Sequence, residues 1–155
     1  MKVQSTVLKI AVVWISAVCF LLTGCGPRRR KIEFVVPDGF RGPFLIIEHP
    51  SGQSGAFHEG KLTLTVPSSR ILLIEDDSAF SEWTLRSARY ANADVLATAN
   101  DHDRSLVALR GGGNSSGMRQ GLIIPPHHSC FVGTDDEFAK CDFRELENLI
   151  AIERH

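Results

Sequence analysis

Two groups of side chains in this chain carry the types and spacing that chemistry needs. His127-His128 follow Pro125-Pro126 and stand just before Cys130, and Asp101-His102-Asp103 sets an imidazole between two carboxylates. Imidazole and carboxylate suit zinc or copper, so His102, His127 and His128 form a candidate metal set. With that set, a metal-binding protein or metal-dependent enzyme is the alternative reading. The spacing argues against it, because no His-x-x-x-His or His-Glu-x-x-His is present and adjacent residues of an extended chain point in different directions. The expectation is exposed loop histidines with incidental pH sensitivity and no assigned metal ligand. Cys130 and Cys141 are eleven positions apart, which is not the Cys-x-x-Cys spacing of a redox pair. Gly112-Gly113-Asn114-Ser115 is not Gly-x-Ser-x-Gly, and Gly111–Gly117 lacks the Lys-Ser/Thr ending of a phosphate loop. Asp76-Asp77 and Asp135-Asp136 read as turn residues without EF-hand spacing. No catalytic residue and no cofactor is assigned.

The remaining reactive side chain is Cys25. Met1–Lys9 carries two lysines and no acid, and Ile10–Leu22 is a largely apolar run of 13 residues. That run fits the core of an export signal and is too short to span a bilayer as a stable helix. Leu22-Thr23-Gly24-Cys25 then resembles the lipobox of bacterial lipoproteins: an aliphatic residue, two small residues, and cysteine. The resemblance implies that the Cys25 thiol takes a diacylglyceryl group, that the chain is cut before it, and that the new amino group is acylated. One acyl chain holds a protein only marginally at ~0.8 kcal/mol per buried CH₂, whereas two or more anchor it stably. Gly26-Pro27-Arg28-Arg29-Arg30-Lys31 reads as a short solvated tether. Its four cations could also meet anionic head groups, at ~1 kcal/mol each. Gly26, not aspartate, follows the lipid cysteine, which in the best-known two-membrane sorting scheme implies the periplasmic face of the outer membrane.

Several consequences follow from that anchor. Removing residues 1–24 leaves 25–155, a chain of 131 residues and one domain's worth of core. Lys2 and Lys9 leave with the signal, which takes the basic count from 17 to 15 against 18 acidic residues and the formal charge from −1 to −3. A mildly acidic domain is a poor candidate for nucleic-acid binding, which rests on neutralising phosphates. Cys19 is lost and Cys25 is committed to lipid, so Cys130 and Cys141 remain in an oxidising compartment. The expectation is a structural disulfide worth ~3 kcal/mol in the chain-entropy model, the alternative being two reduced buried thiols.

The elements that must position these residues read as mostly β. Ile32–Pro37 is partly alternating, and Asp38-Gly39-Phe40-Arg41-Gly42 carries turn chemistry. Pro43–Glu48 is apolar enough for burial on both faces, and His49–Gly55 is a loop by composition. Leu62, Leu64 and Val66 alternate with Lys61, Thr63 and Thr65 in a half-buried strand. Arg70–Glu75 and Glu82–Ala88 are further strands. Ala91–Ala99 fits a short helix or a strand, and Ser105–Leu109 is short and apolar. Gly111–Gly117 reads as a flexible loop. Leu122–Ile124 and Cys130–Gly133 read as two late strands. Residues 142–154 read as a helix, with Asp142 as N-cap and Glu145 as its capping partner.

The sum is a mainly β fold, a small β-sandwich or barrel with a C-terminal α-helix, behind a cleaved lipoprotein signal peptide. Its parts are the signal (1–24), the lipidated cysteine and basic tether (25–31), and the sandwich domain (32–155). Val36-Pro37-Asp38-Gly39-Phe40-Arg41-Gly42 ahead of a strand, together with the late Phe131–Thr134, resembles small envelope modules of transthyretin-like or carboxypeptidase-regulatory-like type. The resemblance implies an accessory or binding domain and brings no catalytic residue. The functional expectation is a lipid-anchored cell-envelope protein, non-enzymatic, held to the membrane through its N-terminus and free to engage an envelope protein partner.

Overall fold

The computed structural model describes residues 30–81, 84–92, 94, 96 and 103–153. Cys25, the signal, Asp101 and His102, and most of Ala91–Ala99 lie outside the described residues. The elements run β1 (Lys31–Val36), β2 (Gly42–Gln53), β3 (Lys61–Thr65), β4 (Ile71–Ile74), α1 (Ser78–Ser81), β5 (Leu85–Tyr90), β6 (Ala108–Arg119), β7 (Leu122–Gly133), α2 (Asp135–Ala139), α3 (Arg144–Ile150) and β8 (Ile152–Glu153). The fold is mainly β, as the patterning predicts.

The strands form two sheets that face each other. Sheet A has the order β3-β1-β5, and sheet B has β4-β2-β7-β6 with β8 added beside β7. The chain alternates between the sheets from β1 to β5. Strands of one sheet are therefore separated by two chain reversals, and β1 pairs in parallel with both β3 and β5 while β2 pairs in parallel with β4. The last strands break the alternation. β6 and β7 form an antiparallel hairpin, and β7 pairs antiparallel with β2.

Alternation puts Ile32, Phe34, Val36, Leu62, Leu64 and Val66 on the inner face of sheet A, against Phe44, Ile46, Leu72, Ile74 and Val132 of sheet B. The Phe34 and Phe44 rings meet edge-on with centroids 5.4 Å apart. Sheet B is covered on its other face as well. Leu45 and Leu146 are buried there, and Phe131 packs on Phe138 of α2 at 5.5 Å between centroids. That second layer is why Phe44-Leu45-Ile46 is apolar without alternation.

Four sequence readings change. The His49–Gly55 loop is in part an excursion from β2: Glu48 and Gln53 both pair with Ile74, and residues 49–52 leave the ladder between them. Gly52 returns so close that a Cβ would collide with the Ile74 backbone, so only glycine fits. Gly111–Gly117 is not a loop but the middle of β6, paired to β7. Leu122–Ile124 and Cys130–Gly133 are one continuous strand, reached through a tight turn at Gln120 (φ 52°) and Gly121 (φ 83°). The helix expected over residues 142–154 is the shorter α3 followed by the strand β8, and a separate short helix, α2, precedes it. Thr134 and Glu137 form the capping box, at the head of α2. α3 starts after Phe143 without a side-chain cap, and Asp142 only accepts the Arg144 N–H at 2.9 Å. Ala151 is extended, and Ile152 and Glu153 pair with Ile123 and Leu122.

Candidate functional site

Strand β7 carries Pro125-Pro126-His127-His128 through the middle of sheet B, and two bulges make this feasible. Opposite β6, Ser115 pairs with His127 and Gly117 with Ile124, so both prolines face the single residue Ser116. Along the other edge, β2 pairs only residues 128–132 and β8 only 122–123. The missing proline N–H groups fall where no ladder bond is needed. A second bulge sets Gly112 and Gly113 against Ser129. The glycines and prolines that make the sequence look like loops are the residues that let the hairpin twist.

The strand sends its two imidazoles to different partners. The His127 side chain is fully buried beneath α3, and its Nδ1–H donates to the Pro125 carbonyl at 2.9 Å. Nε2 therefore faces Glu147 Oε1, 3.6 Å away, without a hydrogen-bond partner. The other carboxylate oxygen of Glu147 accepts from Arg119 Nη2 at 2.8 Å. His128 lies on the core side, with its ring 4.8 Å from that of Phe80 and Nε2 3.5 Å from Asp77 Oδ2. Burial pushes the His128 pKa below the ordinary histidine value, and the Arg86 charge adds to this while Asp77 opposes it. Both histidines are thus buried strand residues, not the exposed loop residues expected. They occupy separate polar clusters, so the structure does not bring them together as ligands of one ion. Among the described residues, no group of three His, Cys, Asp or Glu side chains is placed to hold a metal.

The other candidates take local roles. Asp76 accepts from the N–H and hydroxyl of Ser78 at 2.8 and 2.7 Å, and opens α1. Asp135 begins α2 and is held by Arg104 and Arg110. Cys130 is fully buried in the inter-sheet core, whereas Cys141 is half-buried between α2 and α3. No disulfide joins them in the structure. Burial, reinforced by Asp142, pushes the Cys141 thiol pKa up.

A charged site that sequence reasoning missed lies on the outer face of sheet A. Register aligns three rows there: Lys61, Lys31 and Leu85; then Thr63, Glu33 and Ser87; then Thr65, Val35 and Arg89. Glu33 is nearly buried at the centre. It accepts from Lys61 Nζ at 2.8 Å and Arg89 Nε at 3.2 Å, and Lys31 Nζ stands at 4.0 Å. The Lys61 hydrogen bond, with Arg89 behind it, holds the Glu33 carboxyl below the usual range despite desolvation. Three cations surround one carboxylate, so the face keeps an excess of positive charge. The signal was Lys31-x-Glu33 on an alternating strand, but Lys61 and Arg89 become its neighbours only through parallel pairing.

The free edge of β3 is a second feature. The Lys61 backbone exchanges two hydrogen bonds with His58, both 2.9 Å, and Thr65 is capped by the Gln53 side chain. Between these contacts an open cleft of about 440 Å³ is lined by Gln53, Ala56, His58 and Thr63 among others.

No protein-family model and no curated protein matches the chain. Among solved structures it is similar to a chain from Bacillus anthracis described as a proposed lipoprotein. The two share 11% identity over 79% of this chain and 94% of that chain, with a TM-score of 0.48. That overlap is too low to establish a shared fold.

Proposed function

We propose that this protein is a lipid-anchored cell-envelope protein that presents a non-enzymatic β-sandwich for binding or support at the membrane. The observation that carries the reading is Leu22-Thr23-Gly24-Cys25 at the end of a 13-residue apolar run behind a basic start. The fold is consistent with it. Strand β1 begins at Lys31, six positions after Cys25, so the first strand follows closely on the lipid site. The transthyretin-like or carboxypeptidase-regulatory-like resemblance supports a binding role toward another envelope component. Gly26 after the lipid cysteine favours the periplasmic face of the outer membrane in a two-membrane cell.

Growth with labelled palmitate tests the anchor. The wild-type chain is expected to incorporate label and sediment with membranes, and Cys25→Ser to do neither. Label and membrane retention in Cys25→Ser would refute the reading. Crosslinking in the native envelope followed by pull-down tests the binding role, and repeated recovery of no partner would count against it.

A further inference from the structure

We propose that the outer face of sheet A docks on anionic lipid head groups, so that the anchored domain lies on the bilayer through Lys31, Lys61 and Arg89 and does not swing freely. The proposal rests on the lipid-anchor reading. β1 is the central strand of sheet A, and the tether enters at its first residue. Residues 26–30, fully extended, span at most about 18 Å. The sandwich is therefore held within little more than two Debye lengths of the surface, at about 8 Å each, so a short approach of this face brings its cations into the surface potential. Of the two sheets, A is the one fastened directly to the anchor.

The face also has the chemistry of a head-group surface. Lys61, Thr63, Thr65 and Leu85 are exposed, so it is open, although parallel sheets are usually covered on both sides. Glu33 does not neutralise it. One buried carboxylate shared among three cations fixes their positions and leaves positive charge facing outward. Arg30, set over the Phe57 ring at 5.1 Å, stands at the tether end, and Glu59 in the turn before β3 is an acidic neighbour there. Leu85, 52% exposed, lies beside Lys31 in the row nearest the anchor, where an apolar side chain can enter the interface. Each cation brought to an anionic surface favours association by about fivefold, the equivalent of ~1 kcal/mol.

The lysines provide the measurement. The mature chain has only Lys31, Lys61 and Lys140, two on this face and one at the end of α2. The full lipidated protein, carrying labelled palmitate, is reconstituted in phosphatidylcholine vesicles with or without phosphatidylglycerol. Amine acylation is then read site by site by mass spectrometry. Lys61 is expected to react about fivefold more slowly relative to Lys140 when phosphatidylglycerol is present, and high salt is expected to abolish the difference. In a Thr65→Glu/Leu85→Glu variant, which keeps Glu33 and its three cations in the sequence but cancels the positive charge of the face, the protection is expected to be lost while the label stays. Labelled wild-type protein whose Lys61 reacts equally in both vesicles overturns the docking face alone, as does a face that serves an acidic protein instead. Absence of label overturns the anchor, and the docking face with it. The vesicle comparison does not depend on the variant's folding.

Discussion

The side-chain amide of Gln53 stands in for a neighbouring strand at Thr65: its Nε2–H donates to the Thr65 carbonyl at 2.6 Å, and its Oε1 accepts the Thr65 N–H at 2.9 Å. One side chain from sheet B thus satisfies both backbone groups at the free edge of sheet A and ties the sheets together. Exposed edges invite pairing with other chains, and blocking them is a common protection. Gln53→Ala is expected to lower stability by about 1 kcal/mol and to increase self-association, seen by denaturant unfolding and sedimentation. Gln53→Glu keeps the acceptor but sets a carboxylate oxygen against the Thr65 carbonyl. It is expected to be no more stable than Gln53→Ala at neutral pH.

His128 makes stability depend on pH. Its folded pKa lies below the ordinary 6.5, so the unfolded chain binds a proton that the native state refuses. Stability is full above 6.5 and falls as pH drops from 6.5 toward the lowered folded value. His128→Phe, which keeps a ring against Phe80, is expected to flatten unfolding free energy across that window. An unchanged pH slope in the variant would refute the assignment. Glu33 acts lower on the scale: its contribution is present above the ordinary carboxylate value of 4.5 and is lost as pH falls through its depressed folded value.

Glu147 links α3 to the β6–β7 hairpin. It takes a hydrogen bond from Arg119 with one oxygen and presents the other to the buried, unpartnered His127 Nε2. Glu147→Ala is expected to cost about 1–3 kcal/mol, because Arg119 and His127 both lose their facing group. Glu147→Gln keeps an acceptor for Arg119 and offers His127 an amide donor. It is expected to unfold at the wild-type denaturant concentration or above, and a loss as large as that of Glu147→Ala would disprove this account.

Thiol reactivity reports the helical corner. Cys130 is shielded in the core, and the raised pKa of Cys141 lowers the thiolate that alkylating reagents attack. In native protein, alkylation is expected only at Cys141 and slowly. In denaturant without reductant both sites are expected to react, as mass spectrometry would show. A Cys130–Cys141 bridge would instead leave both unmodified until reductant is added.

Local patterning was enough to find most of the strands. Leu62, Leu64 and Val66 announce a half-buried strand because side chains alternate with period two, and Asp38-Gly39 marks the turn after β1 because glycine accepts φ of 70°. The apolar Phe44-Leu45-Ile46 run signals burial on both faces for the same reason. Composition misled where it meets tertiary pairing. Gly111–Gly117 and Pro125-Pro126 look like loops because glycine and proline disfavour a regular ladder, yet they sit in bulges of one long hairpin. The capping box lies at Thr134 and Glu137, whereas the C-terminal apolar periodicity points to a helix start at Asp142.

A mainly β chain, its local turns and the motif at Cys25 are legible along the chain, since these rest on neighbouring residues. That strands alternate between two sheets and so pair in parallel emerges from the folded arrangement. That pairing brings Lys61 and Arg89 to Glu33, while the packing of helices and sheets on one another sends His127 to Glu147, His128 to Asp77 and Gln53 to the edge at Thr65. Such contacts join residues far apart along the chain, and periodicity records which face a side chain takes but not which strand lies beside it.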